Sequence, residues 1–242
     1  MGDYFFKFLQ RIFSLVWLCE LLDKENIPER GPAVFVSNHL GSYAPIVTLA
    51  TFPMRLYPWV EHQTTDWKLC PDYLRKDFVE KELHLKPPLS KIIAWLISKA
   101  CVILMKVIQA IPVYDKSMKL ATTWKCSMKH LKREESLIIF PENDAVPLND
   151  VINKFDQGFV GLASVYYEKT GRMLDFVPVA VQKTEKVIKI GQPVSFNPKE
   201  NFSTEQNRIA TALQNRITEM YSSIRSSGSK LLVTHNSPGE VA

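Results

Sequence analysis

The sequence predicts an α/β fold: a mostly parallel mixed sheet flanked by helices, entered through an N-terminal amphipathic helical arm. Three observations predict it. Short apolar or β-branched runs (Ala33–Val36, Arg55–Val60, Ile111–Tyr114, Ser136–Phe140, Phe176–Val181) alternate along the chain with longer segments of helical period, the pattern of a sheet with helices packed on its faces. Runs such as Ala33–Val36 are apolar throughout, as in strands covered on both sides. The 242 residues suit one domain with a sizeable core.

The first element is a strongly apolar stretch, Tyr4–Leu22, in which Lys7, Gln10, Arg11 and Ser14 recur at helical spacing and form one polar stripe. These residues interrupt any apolar run of bilayer length, and no small-residue cleavage site follows, so the stretch reads neither as a spanning helix nor as a cleaved signal. Two readings stay open. Its aromatic face can lie in a membrane interface, or it can pack on the domain's own core. Glu25–Pro32, with two prolines and a glycine, leads into the first strand. The predicted organisation is an arm over residues 1–30, a domain over 31–233 and a polar, frayed tail over 234–242.

Beyond the first strand, Ile46–Thr51 continues a helix that Pro53 stops, with Ser42 placed to cap it and Pro45 in its first turn. Gln63–Pro88 is charged and weakly periodic, a loop or short helices beside a site. Its Lys68, Arg75, Lys76, Lys81 and Lys86 form either a solvated face or a contact for a cofactor phosphate. Leu89–Ile108 is a very apolar helix carrying Lys91, Lys99 and Lys106 on one side. It reads equally as a core helix or as a second interfacial helix with snorkelling lysines. Lys119–Leu131 and Asp156–Lys169 are helices, and Val187–Ile190 and Val194–Phe196 close the sheet. Ser203 with Gln206 forms a capping box for a last helix that has Ile209, Leu213, Ile217, Met220 and Ile224 at core spacing.

Composition excludes several function classes. Hydrophobic residues make up 46% and charged residues 23%, an ordinary globular balance. The net charge of +5 suits an anionic membrane surface or phosphorylated ligands and specifies neither. No dense Lys/Arg stripe with interleaved aromatics points to nucleic acid. Cys19, Cys70, Cys101 and Cys126 lack paired spacing and read as reduced thiols of a cytoplasmic protein. The histidines lack metal-ligand spacing, so no metal is expected. There is no P-loop, dinucleotide fingerprint or nucleophile elbow.

The chemistry centres on Asn38 and His39, just past the carboxyl end of the Ala33–Val36 strand, where ligands bind in open α/β sheets. A neutral imidazole between a strand end and a helix start can serve as a general base, or be a satisfied, partly buried histidine. Four stretches in order now matter: Asn38-His39, Ile111-Pro112-Val113, Phe140-Pro141-Glu142 and Val177-Pro178-Val179. Together they resemble the four motifs of the phospholipid/glycerol acyltransferases, the 1-acylglycerol-3-phosphate acyltransferase-like family, over residues 33–196. Ala44 stands at the position of the first motif's Asp. Asp115, followed by Lys116, stands at the second motif's Arg. Asn143, Asp144 and Ala145 stand in the Gly, Thr and Arg slots of the third.

The resemblance implies an acyltransferase fold and a reaction that moves a fatty acyl group from an acyl-CoA or acyl-carrier-protein thioester to a hydroxyl of a lipid or glycerol-like acceptor. It needs no cofactor beyond that co-substrate. His39 is the implied general base. Asn38, Lys116, Pro141, Glu142, Asn143 and Asp144 are the implied substrate-binding positions, with Glu142 or Asp144 available to orient His39 in place of the missing Asp. The implied setting is the cytoplasmic side of a membrane, held peripherally. The alternative is a non-catalytic lipid- or acyl-thioester-binding protein on the same fold.

Overall fold

The computed structural model describes residues 2–114, 117–142 and 152–235. Among these, the strands are β1 (Glu20–Leu22), β2 (Ala33–Ser37), β3 (Leu56–Glu61), β4 (Ile111–Val113), β5 (Ser136–Ile139), β6 (Asp175–Gln182), β7 (Val187–Ile190) and β8 (Val194–Ser195). They form one sheet in the order β1-β7-β6-β2-β5-β3-β4, with β8 alongside β6. Strands β6, β2, β5, β3 and β4 are mutually parallel, and β7 and β8 run antiparallel to β6. The sheet is therefore mostly parallel and mixed, as expected. Phe35 pairs with Ile138 on one neighbour and Val177 on the other, so the strand leading to His39 is central.

Every residue of β2 and β5 is buried, because helices cover both faces. On one face Val34, Val36, Leu137 and Ile139 pack with residues of α5 (Ser117–Leu131), α6 (Gly161–Thr170) and α7 (Phe202–His235). On the other, Ala33, Phe35 and Ile138 pack with Ala44, Val47 and Phe52 around α2 (Tyr43–Thr51). Successive strand residues point to opposite faces, so one strand feeds both cores. The segment between β3 and β4 forms a 3-10 turn at His62–Thr65, α3 (Cys70–Leu74), a wide turn at Arg75–Val79 and α4 (Leu89–Val107).

Four local expectations are corrected. The first helix, α1 (Gly2–Val16), stops six residues before Leu22. Cys19 is buried in the core, and the N–H of Glu20 donates to Lys186 O at 2.8 Å, so residues 20–22 join the sheet in parallel with β7. Burial and strand pairing outweigh the local helical pattern. Ser42 does occupy the N-cap of α2 but makes no side-chain cap bond. The helix expected from Asp156 begins as a 3-10 turn at Gly158–Val160, because Asp156 Oδ1 accepts the Gly158 N–H and holds a turn there. At the last helix Asn201, not Ser203, is the cap: its Oδ1 accepts the Ser203 N–H at 3.0 Å.

Helix α1 is tied down and also exposed. Gln10 donates to Leu49 O and Phe52 O at the end of α2, and Phe6 is buried. Tyr4, Phe8, Leu15 and Val16 are exposed. No helix among the described residues is long and apolar enough to cross a membrane.

Candidate active site

Parallel strands bring their carboxyl ends to one edge of the sheet. Val36 pairs with Ile139, Ile138 with Pro58, and Trp59 with Ile111, so Val36, Ile139, Trp59 and Ile111 share a row. Three residues on in each case, past the ends of these strands, come His39, Glu142, His62 and Tyr114. Chemistry-bearing side chains distant in sequence are thus placed by register alone.

Asn38 is buried and holds the end of β2 to β6. Its Nδ2 donates to Val181 O at 3.0 Å, and its Oδ1 accepts the Val181 N–H at 2.8 Å. The side-chain amide imitates a peptide group and extends the ladder by one rung. This fixes the backbone from which His39 departs.

The backbone N–H of His39 donates to Glu142 Oε1 at 2.7 Å. The second oxygen, Oε2, accepts the Asn153 N–H at 2.9 Å. Glu142 is buried and forms a bridge with Phe155, while Asp156 N–H donates to Pro141 O at 2.8 Å. Pro141 and Glu142 therefore clasp the chain where it returns at 153–156. The His39 ring is partly buried with Nδ1 inside, and it meets Phe140 edge-on, with centroids 5.7 Å apart and planes at 85°. The structure thus brings His39, Asn38, Pro141 and Glu142 together. Lys116, Asn143 and Asp144, like Asp115 and Ala145, lie outside the described residues.

Ala44 is fully buried in the apolar cluster beneath α2. Beside it, the Tyr43 hydroxyl lies 3.4 Å from Cys19 Sγ. Burial, then the thiol beside it, pushes the Tyr43 hydroxyl well above its ordinary range, so it stays protonated.

Two neighbours on this edge escaped the sequence reading. Lys183, one residue past β6, holds its Nζ 5.4 Å from the centre of the Tyr43 ring. His62 Nδ1 lies 2.7 Å from Glu61 Oε1, and its ring packs on Tyr114 with centroids 4.8 Å apart. The adjacency of Glu61 and His62 was a signal in the sequence, but it gains meaning only from the register across β5. Among the described residues no cluster of His, Cys, Asp and Glu is arranged to hold a metal ion.

No family model matches this chain, and no curated relative matches it by sequence. Among solved structures, it is similar to the crystal structure of PlsC, the 1-acyl-sn-glycerophosphate (LPA) acyltransferase from Thermotoga maritima. The TM-score is 0.58 at 14% identity, over 93% of this chain and 81% of the other. At that identity the likeness is one of fold: the mostly parallel sheet flanked by helices is an architecture shared with a PlsC acyltransferase.

Proposed function

We propose that this protein is an acyltransferase of the phospholipid/glycerol type, working from an acyl-CoA or acyl-carrier-protein thioester with His39 as general base. The observation that carries the reading is the seat of His39. It stands at the carboxyl end of the central strand, with its backbone held by Glu142 and the preceding Asn38 locked to Val181. A base with its backbone fixed on two sides is set to meet an acceptor hydroxyl repeatedly in one geometry.

In this reading the acceptor oxygen attacks the thioester carbonyl carbon while its proton passes to His39. The carbonyl oxygen becomes an oxyanion that must be met by hydrogen-bond donors; at the start of α2 Tyr43 N–H already donates to Leu40 O, Ile46 N–H to Ser42 O, and Pro45 has none. Collapse of the tetrahedral species breaks the C–S bond, and the proton on His39 leaves with the thiol. The reaction needs no metal or further cofactor. We place it at the cytoplasmic face of a membrane, held peripherally, with a lipid or glycerol-like acceptor. Lys183 near Tyr43 is a cation available to an acidic headgroup.

One observation favours the second reading, a lipid- or acyl-thioester-binding protein without catalysis. Ala44, at the position of the motif's carboxylate, is buried among apolar side chains. The test is thiol release from acyl-CoA and acyl-carrier protein over a panel of lysolipids and glycerol derivatives. Wild type turns over, His39→Ala does not, and both unfold at the same denaturant midpoint. Equal release by the two proteins refutes the catalytic role of His39. Absence of release by both, with tight acyl-thioester binding, establishes the second reading.

A further inference from the structure

Helix α4 is packed inside out. The residues it buries are the small or polar row Ser90, Ala94, Ser98 and Val102, while Ile92, Trp95, Leu96 and Ile103 face solvent, each about half exposed. A helix that merely covers a core has the opposite arrangement. Contiguous exposed apolar side chains on this scale mark a surface made for a partner.

The exposed face of α1 belongs with it. The two helices touch, and Arg55 ties them together. Its guanidinium sits 4.7 Å from the centre of the Phe6 ring on α1 and donates to Val107 O at the end of α4 at 3.0 Å. Phe8 and Leu15 of α1 are then carried in fixed relation to Ile92, Leu96 and Ile103 of α4.

The charges name the partner. Helix α4 carries Lys91, Lys99 and Lys106 with no acidic residue, and α1 carries Lys7 and Arg11 against a single Asp3. Lys99 Nζ lies 3.6 Å from the centre of the Trp95 ring, and Lys106 Nζ 4.8 Å from that of Trp67. Tryptophan with a lysine ammonium beside it suits the headgroup level, where one side is apolar and the other wet and anionic.

We propose that α1 and α4 together form one bilayer-docking face that selects anionic lipid. This rests on the reading that the protein works at a membrane, and not on its being a catalyst.

The test is flotation of the full chain with phosphatidylcholine vesicles and with vesicles containing phosphatidylglycerol. Wild type floats with the anionic vesicles, several-fold less with the neutral ones, and the difference disappears at high salt. The double variant Ile92→Glu, Leu96→Glu loses flotation by at least about tenfold with an unchanged circular dichroism spectrum and unfolding midpoint. The pair Lys91→Glu, Lys106→Glu loses only the preference for anionic vesicles. Wild type failing to float with either vesicle overturns the membrane reading itself. Unchanged flotation of the Ile92/Leu96 variant overturns the assignment of α4 while leaving that reading standing, and equal flotation on both lipids overturns the selectivity. If the same variant converts a dimer to a monomer and still floats, the face belongs to a second copy of the chain and the proposal fails. Flotation needs no turnover, so a protein without transferase activity can still pass.

Discussion

The carboxylate of Glu142 binds the backbone N–H of His39, 103 residues earlier in the chain, at 2.7 Å, so the third of the ordered stretches acts first by holding the first in place. Its other oxygen holds Asn153. Glutamine offers one acceptor oxygen and an amide that must face an N–H donor. Glu142→Gln should therefore lose about 1.5–3 kcal/mol of stability together with most acyl transfer. Guanidinium unfolding and thiol release measure the two. An unchanged midpoint would show that the clasp is not needed.

Asn38→Asp keeps the shape of the side chain and removes its donor. An ionised carboxylate would then face Val181 O, which now accepts a hydrogen bond at 3.0 Å. The expected loss is about 1–3 kcal/mol, read from thermal unfolding at neutral pH. Stability equal to wild type would show that the Asn38–Val181 pairing contributes nothing.

Ala44→Asp places a carboxyl group in a fully buried apolar cluster. Burial raises its folded-state pKa above the value of about 3.9 in the unfolded chain. The sign follows: the folded state retains the proton longer, so the variant is nearest to wild type below about pH 4 and falls behind as pH rises. Denaturation at pH 4 and pH 7 should show the deficit widening. A deficit that stays flat, with a pH optimum for turnover moved upward, would mean that the new carboxylate reaches His39 and pairs with its charged form.

His130 gives wild type a pH dependence of its own. It is buried at the end of α5, with Nδ1 2.7 Å from Glu135 Oε2. Burial holds its imidazole below the ordinary value of 6.5, and Glu135 pulls the other way. Above that value both states are neutral there. As pH falls below it, the unfolded chain takes up a proton that the folded protein resists, and stability drops. Unfolding midpoints at pH 7.5 and 5.5 should fall for wild type and fall less for His130→Gln. Equal slopes would remove His130 as the cause.

Much of the sheet was legible because its central strands are buried on both faces, and Ala33–Val36 or Phe176–Val181 cannot be mistaken for a half-solvated surface. The edge was not. Glu20–Leu22 follows Trp17 and Leu18 in an apolar run, and only its pairing with Val187–Lys189 makes it a strand. At the site, ordered short stretches pointed to His39, Pro141 and Glu142. What they did not carry was the division of labour. Asn38, expected to touch substrate, spends its amide on Val181, a partner 143 residues away. The packing of the His62 ring on Tyr114 depends on the pairing of β3 with β4, which no local pattern encodes. Lys116, Asn143 and Asp144 fall outside the described residues.

The parallel pairing of β1 with β7 has a practical consequence for anyone who trims this protein. Cutting before Lys24 to remove the apolar arm would take the outermost strand with it. Residues 187–189 of β7 would then present unpaired N–H and C=O groups along a bare edge, a template for strands of other molecules. A shortened protein that precipitates would report that uncovered edge and not the loss of lipid contact. The cut that separates the two lies between Val16 and Cys19, where the helix has ended and the strand has not begun.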